Sequence, residues 1–201
     1  MRPSSKEKRD KILTIARELF FKQGFSQTSM SQILELCGGS KETLYRYFGN
    51  KKGLLQQVIQ QQVEMTGVLF QFEAGSAESL EPKLIQFGKD YINMFYRQDF
   101  INMYRVMSDA SREDVELAEL FMAQGPRRLH SQLGEFLNDY AERGHIDIAD
   151  SDIAAAQFLG LMRANFFHEA LLGTAPPSQA VIADYVQQSV ALFLCPQRAG
   201  Q

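Results

Sequence analysis

The sequence has few of the features that mark secreted, metal-binding or membrane proteins. Its two cysteines and three histidines lie scattered among 201 residues, without the spacing of a disulfide framework or a zinc site. No apolar run approaches the roughly 20 residues that span a bilayer. The basic N-terminus is not followed by the apolar stretch of a secretory signal. These absences predict a cytoplasmic protein that has neither a metal nor another cofactor.

Strand patterns are scarce as well. Alternating Val, Ile and Thr between turn residues does not occur, and apolar residues recur at helical spacing along the chain. We therefore predict an all-α fold of about nine helices, divided into domains of residues 1–52 and 53–201. Three predicted elements matter below: a short helix over 29–37 with Thr28 as its N-cap, a long helix from Lys51 to about Phe72, and one helix over 150–172.

Charge is unevenly distributed along the chain. Residues 1–55 carry eleven lysines and arginines against five aspartates and glutamates, a net charge of +6. The remaining residues carry ten against nineteen, a net charge of −9, which gives the total of −3. This asymmetry favours a polyanion as the partner of the N-terminal segment.

The basic segment contains two short predicted helices joined by Gly38-Gly39, the arrangement of a helix-turn-helix. In that motif the first helix braces across the DNA backbone and the second presents its N-terminal residues to base edges in the major groove. The second helix covers 40–48, with Ser40 as its cap. Leu44 and Phe48, four residues apart, face the core. The outward side chains that can reach bases are Lys41, Glu42, Thr43 and Arg46.

Other polar groups of this segment suit phosphate oxygens. Tyr45 and Tyr47 carry a hydroxyl on a rigid ring. Lys51 lies at the start of the next helix, and the N-terminus of that helix adds a partial positive charge to that of the lysine. The hydroxyls of Thr28 and Ser40 lie at helix N-caps. Each has an ordinary alternative: either tyrosine can be a packing residue, Lys51 a solvated charge, and Ser40 a cap alone.

At these residues the sequence resembles the tetracycline-repressor (TetR) family of bacterial transcription regulators. The resemblance covers the first helix and three segments, F-x-x-x-G-F-x-x-T-S-M (20–30), T-L-Y-R-Y-F (43–48) and N-K-K-G-L-L (50–55). It implies a three-helix DNA-binding domain, a helical C-terminal domain that binds a small molecule, and a homodimer that acts as a repressor. Residues 121–172, with A-Q-G-P-R-R-L and A-A-Q-F-L-G-L-M-R, resemble the AefR-type C-terminal domain of that family.

The sequence departs from the family pattern at two positions of the motif. Gly39 stands where the family has an aliphatic residue that anchors the turn, which predicts a less rigid Gly-Gly turn. Glu42 stands where the family often has Gly. A glutamate there accepts from cytosine or repels phosphate, and so sharpens specificity rather than affinity.

The middle of the chain is rich in methionine and aromatic residues. An ordinary helical core explains most of them, but these residue types also form adaptable apolar cavities, and the resemblance implies a pocket in this region. The effector would be a small apolar or amphipathic molecule. The predicted ligand-binding residues are Phe87, Tyr91, Phe95, Met103, Tyr104, Met107, Phe121, Arg163 and Phe166.

Two further features belong to the C-terminal half. Arg163 lies in an apolar run and is predicted to be buried, which requires a partner: Asp109, Glu169 or an anionic ligand, of which we favour an internal carboxylate. The last two predicted helices are apolar on more than one face. Pairing with the same helices of a second copy would bury them, as in a two-fold four-helix interface.

Two other classes of protein remain as alternatives to a ligand-released repressor. An α-helical enzyme would need a paired base and nucleophile, and no such spacing occurs among the acidic, histidine, serine and cysteine residues. A helical scaffold would carry its basic end only as a solvated surface. The residues do not distinguish a repressor from an activator, and they identify neither effector nor operator.

Overall fold

The computed structural model describes residues 5–67, 72 and 79–195 of the chain. Within these residues it contains helices and no strand, so the predicted all-α fold is confirmed. None of the described helices is both long and apolar enough to cross a membrane. The eleven helices in this part of the chain are α1 (Ser5–Gln23), α2 (Met30–Cys37), α3 (Lys41–Phe48), α4 (Lys51–Gly67), α5 (Leu80–Phe95), α6 (Gln98–Glu113), α7 (Val115–Gln124), α8 (Pro126–Glu142), α9 (Ser151–Arg163), α10 (Phe166–Leu172) and α11 (Gln179–Leu194).

The predicted helix over 150–172 is wrong as a single element. The helix is interrupted at Ala164, whose φ of +34° is the one positive value among the described non-glycine residues. A second helix, α10, begins at Phe166. The break places Phe166 and Phe167 against a hydrophobic core. The long predicted helix from Lys51 is observed to Gly67, and residues 68–71 of that prediction lie outside the described residues.

The helices form two compact units that do not follow the chain in a simple order. The first unit comprises residues 1–66 and 102–125, and the second comprises 67–101 and 126–201. The boundary predicted at residue 52 divides the sequence differently, because residues 102–125 bury their apolar side chains together with the N-terminal helices.

The first unit has a core formed by α1–α4, the later part of α6, and α7. α1 contributes Ala16 and Phe20, which have no exposed surface, and the helix-turn-helix contributes Ile33, Leu44 and Phe48. The opposing side chains from α4, α6 and α7 are Leu54, Leu55, Val58, Ile59, Met103, Val106, Met107, Ala110, Leu117 and Phe121.

The second unit packs α5, α8, α9, α10 and α11 around rings. Phe158 of α9 is fully buried, and its ring lies 6.0 Å from that of Phe87 and 4.9 Å from that of Phe193. Tyr91 and Phe95 of α5 form an edge-to-face pair with centroids 4.7 Å apart. Offset and edge-to-face contacts of this kind add to the stabilisation from buried area.

Candidate nucleic-acid interface

The first helix of the motif, α2, is capped by Ser29 and not by Thr28. The Ser29 side chain accepts from the backbone N–H of Gln32, and the Gln32 side chain accepts from the backbone N–H of Ser29, a complete capping box. Thr28 is 2% exposed, and its hydroxyl donates to the Gly24 carbonyl at 2.7 Å. The predicted cap is therefore wrong, and the predicted DNA contact of Thr28 loses the cap position on which it rested.

The turn between α2 and α3 is formed by two glycines with positive φ. Gly38 has a φ of +71° and Gly39 of +98°, values that side-chain-bearing residues rarely adopt. A Cβ at either position would meet nothing within 4 Å. The backbone conformation, and not crowding, thus accounts for glycine at position 39, where an aliphatic residue is the family pattern.

The second helix, α3, is capped and anchored as the sequence predicts. The Ser40 side chain accepts from the Thr43 N–H at 3.2 Å. Leu44 and Phe48 are 1% and 4% exposed and lie in the core of the first unit. Since the two positions are four apart in sequence, they occupy one face of the helix and leave the opposite face for solvent or DNA.

The outer face of α3 carries the predicted base-reading residues. Lys41, Glu42 and Arg46 are exposed, and Thr43 is half-buried. The Lys41 ammonium lies 5.6 Å from the centre of the Tyr45 ring, and the Arg46 guanidinium lies 5.6 Å from that of Tyr47. Each of these two cationic groups therefore lies beside a tyrosine ring of the same helix.

The tyrosines differ in their surroundings. Tyr45 is 41% exposed. Tyr47 is half-buried against the core, and its hydroxyl is hydrogen-bonded to that of Ser5 at 2.7 Å. This bond is the main reason that the pKa of Tyr47 lies below its usual range, with the Arg46 side chain contributing further. The start of α1 is thereby held beside the end of α3.

The two lysines at the start of α4 make contacts within the first unit. The Lys51 ammonium donates to the Phe25 carbonyl at 2.9 Å and lies 4.1 Å from the centre of the Phe25 ring. Lys52 pairs with Asp114 at 2.6 Å and with Glu116 at 2.5 Å. Hydrogen bonds to these two carboxylates raise the pKa of Lys52. The phosphate contact of Lys51 stays a prediction, and its ammonium has a structural role besides.

Asp109, one of the predicted partners of Arg163, is bonded to a different residue. Its carboxylate accepts from the backbone N–H and the hydroxyl of Ser26, both at 2.8 Å. The backbone bond from Ser26 is the largest cause of its lowered pKa. No local pattern announces this contact, because 83 residues separate the two partners.

Eight of the nine predicted ligand-binding residues divide equally between the two hydrophobic cores. Met103, Tyr104, Met107 and Phe121 belong to the first unit, where Tyr104 and Phe121 meet edge to face at 5.2 Å. The members in the core of the second unit, or packed against it, are Phe87, Tyr91, Phe95 and Phe166. The abundance of such residues along the sequence concealed a division between two cores.

Arg163 is exposed, so the prediction that it is buried is wrong. It lies at the end of α9, beside the hydroxyl of Tyr91. Burial raises the pKa of Tyr91, and the charge and hydrogen bond of Arg163 partly offset that rise. Glu169, the other proposed partner, lies beside the hydroxyl of Tyr96, whose pKa is raised by burial and then by this carboxylate.

Two segments of the chain match known protein families. Residues 12–58 match the family described as bacterial regulatory proteins, tetR family. Residues 82–196, more than half of the chain, match the AefR-like transcriptional repressor, C-terminal domain. The chain belongs to the tetracycline-repressor family. It is a helix-turn-helix transcriptional regulator with a C-terminal ligand-binding domain, as the resemblance of its motifs implied.

Individual relatives agree with this assignment. The uncharacterized HTH-type transcriptional regulator YvkB of Bacillus subtilis is 24% identical over 200 residues, covering 96% of this chain and 97% of the relative. The regulator UidR of Escherichia coli is 39% identical over 64 residues, which cover 32% and 33% of the two chains. The solved structure of the flavonoid-responsive regulator FrrA has a TM-score of 0.87 and 28% identity, covering 97% of this chain and all of that one.

Proposed function

We propose that this regulator is a dimeric repressor that leaves its operator when a small apolar or amphipathic molecule binds to the second unit. The observation that carries the DNA-binding part is the division of α3 into a buried face with Leu44 and Phe48 and an outer face with cations and hydroxyls. Operator DNA in the cytoplasm is the corresponding partner. The relatives are regulators, and we propose no enzymatic activity.

The contacts of α3 divide into two kinds. Lys41, Glu42 and Thr43 begin the helix, where side chains reach base edges in the major groove, and Arg46 lies one turn further. The residues proposed to hold phosphate oxygens, and so to fix register rather than sequence preference, are Ser40, Tyr45, Tyr47 and Lys51. Thr28 is left out of the proposal because it is 2% exposed and its hydroxyl donates to the Gly24 carbonyl.

A salt titration of DNA affinity tests the phosphate contacts. The DNA is a duplex that the wild-type protein selects from a random-sequence library. Lys51→Ala should weaken binding to every duplex and lower the slope of log affinity against log salt by about 1. The control is Lys89→Ala in α5, which should leave the slope unchanged. An unchanged slope in Lys51→Ala would contradict the phosphate contact of Lys51. A wild-type protein that shifts no duplex in a gel at low salt would favour a helical scaffold over a DNA-binding regulator.

The effector is proposed to bind among the rings of the second unit. Phe87 and Tyr91 stack with centroids 5.7 Å apart and planes 13° from parallel. The Tyr91 hydroxyl and exposed Arg163 supply polarity at one side, and Phe166 packs nearby on the same core. These are the features of a site for a flat molecule with a polar edge. The relative FrrA is described as flavonoid-responsive, and a flavonoid is such a molecule.

Release of the selected duplex by quercetin, used as the flavonoid probe, tests the effector proposal. Quercetin should raise the Kd for the duplex in the wild-type protein, and Tyr91→Phe should require more of it for the same effect. Decanoate, which has an apolar chain but no ring, is the comparison. A Kd that neither compound alters would contradict release by this class of molecule.

The dimer is proposed to form through the last helices. Three large apolar side chains of these helices are exposed, a feature typical of a contact surface: Ile153 of α9 at 54%, and Val181 and Leu192 of α11 at 54% and 67%. A second copy would cover them and place two α3 helices about one turn of duplex apart, roughly 34–36 Å. Leu192→Glu should therefore shift the mass measured by light scattering from two chains to one. Leu36→Glu, on α2 and 58% exposed, is the control.

A further inference from the structure

The end of α6 contacts the turn that precedes the helix-turn-helix. Asp109 presents both carboxylate oxygens: Oδ2 accepts from the backbone N–H of Ser26, and Oδ1 accepts from its hydroxyl, each at 2.8 Å. The backbone N–H of Phe25 lies near the carboxylate too and contributes to its lowered pKa. Hydrogen bonds to a charged group are shorter and stronger than those between neutral groups. The carboxylate thus holds Ser26 by both its backbone and its side chain.

The turn is shaped to receive this carboxylate. Gly24 has a φ of +83°, and a Cβ built on it would lie 2.9 Å from Oδ2 of Asp109. Glycine therefore serves both the backbone conformation and the close approach at this position. We name residues 24–26 together with Asp109 the α6 clasp.

The clasp is connected to α2 by short hydrogen bonds. The Thr28 hydroxyl donates to the Gly24 carbonyl at 2.7 Å, and the Thr28 N–H donates to that of Phe25 at 3.1 Å. Ser29 then begins the capping box of α2. A displacement of the turn would thus be passed to α2 within a few residues.

The other end of the motif is attached to the same region of the chain. Lys52, which follows α3 by four residues, pairs with Asp114 and Glu116 where α6 ends and α7 begins. The segment 26–52, which contains both helices of the motif, is therefore held at its two ends by residues 109–116. The first four residues of α6, 98–101, belong to the second unit, and the rest belong to the first.

We propose that Asp109 is a positioning residue for DNA recognition, and that its carboxylate sets the place of α2 and α3 relative to the end of α6. The side chain touches no DNA in this proposal. It acts through the turn, so that a displacement of α6 reaches the DNA-reading helix by way of the α6 clasp.

The test compares Asp109→Asn with Glu113→Gln, an exposed carboxylate at the end of the same helix. The probe is the duplex that the wild-type protein selects from a random-sequence library. Asp109→Asn should raise the Kd roughly fivefold to twentyfold. The slope of log Kd against log salt should stay that of the wild type, because no phosphate contact is lost. Glu113→Gln should bind like the wild type.

Hydrogen exchange separates positioning from a general loss of stability. In Asp109→Asn the amide of Ser26 should exchange faster, while those within α3 keep their protection. Ser26→Ala removes one of the two bonds from Ser26 and should raise the Kd by roughly threefold. In the Ser26→Ala background the effect of Asp109→Asn should be smaller than in the wild type.

Two results would overturn the proposal. In the first, Asp109→Asn and Ser26→Ala both have the same Kd for the duplex and the same amide exchange rates as Glu113→Gln. The other is a loss of protection throughout α1–α4, which would make Asp109 a residue of general stability. Selection of a duplex by the wild-type protein precedes both, so failure of DNA binding itself is recognised separately.

Discussion

Each compact unit has a hydrophobic core as well as polar bonds between distant residues, but the balance between ring contacts and polar bonds differs between the two units. In the first unit, specific polar bonds join elements distant in sequence: Asp109 to Ser26, Lys51 to the Phe25 carbonyl, and Lys52 to Asp114. In the second, stacked and edge-to-face rings join the helices, with Phe87 and Phe158 among the central members.

This difference corresponds to the tasks of the two units. Hydrogen bonds depend steeply on distance and angle, so they hold a DNA-reading helix in one place. Ring and methionine contacts tolerate small rearrangements, so they suit a unit that must accommodate an effector. We therefore expect the first unit to be sensitive to small changes in side-chain shape and the second unit to tolerate them.

The largest effect is expected where α3 is anchored in the first unit. Leu44→Ala removes a side chain that is 1% exposed and should lower the free energy of unfolding by about 2–5 kcal/mol. DNA affinity should fall with it. Chemical denaturation measures the loss. Leu36→Ala, on exposed α2 surface, should change stability by less than about 0.5 kcal/mol, and equal effects of the two would contradict the buried position of Leu44.

A single added methyl group should disturb the α6 clasp. Gly24→Ala combines an unfavourable φ with a Cβ 2.9 Å from the Asp109 carboxylate, and should cost more than about 1 kcal/mol. Gly173→Ala shares a positive φ, at +87°, but a Cβ there would meet nothing within 4 Å. Comparing the denaturation midpoints of the two variants therefore measures the effect of the close approach. A Gly24→Ala variant that is as stable as Gly173→Ala would show that the Asp109 carboxylate moves aside at little cost.

The second unit should tolerate the replacement of a whole buried side chain better than the first unit tolerates one added methyl group. Met94 of α5 is 5% exposed in the core that contains Phe87 and Phe158. Met94→Leu nearly conserves volume and should cost well under the limit of about 1.5 kcal/mol for such exchanges, and we expect it to cost less than Gly24→Ala. Thermal unfolding of the two variants gives the order directly, and the reverse order would contradict the contrast between the units.

The smallest effect is a dependence on acid. The pKa of Asp109 lies below its ordinary value of 3.8 because Ser26 donates to it. Its contribution to stability is therefore complete above that ordinary value and is lost as the pH falls through the lowered pKa. The difference in unfolding free energy between the wild type and Asp109→Asn should be constant near neutral pH and narrow at strongly acidic pH. A difference that widens in acid would have the wrong sign.

The sequence predicted the local features of the motif because neighbouring residues determine them. The cap at Ser40, the buried pair Leu44 and Phe48, and the glycine turn all follow from residue type and helical spacing. The predicted N-cap of α2, Thr28, precedes the observed N-cap, Ser29, by one residue. Gln32, three residues after Ser29, was the signal that identifies the capping box.

Contacts between distant residues were not predictable in the same way. Asp109 and Ser26 are 83 residues apart, and neither carries a local mark of the other. Ala164 breaks a helix without glycine or proline at the break, so the helical pattern ran on to residue 172. Met103 and Phe95 look alike in sequence, but the first lies in one core and the second in the other.

The central claim is that the start of α3 reads the bases of the operator. Its most direct test is the Kd of the wild type and of Thr43→Ala for the selected duplex and for duplexes changed at one base pair at a time. In the wild type, each change in the contacted positions should cost about 1–3 kcal/mol. Thr43→Ala should lose that discrimination at one or two positions and keep it elsewhere, while Leu36→Ala keeps it throughout. A Thr43→Ala variant with the base preferences of the wild type, together with a Lys41→Ala variant that shares them, would contradict the claim.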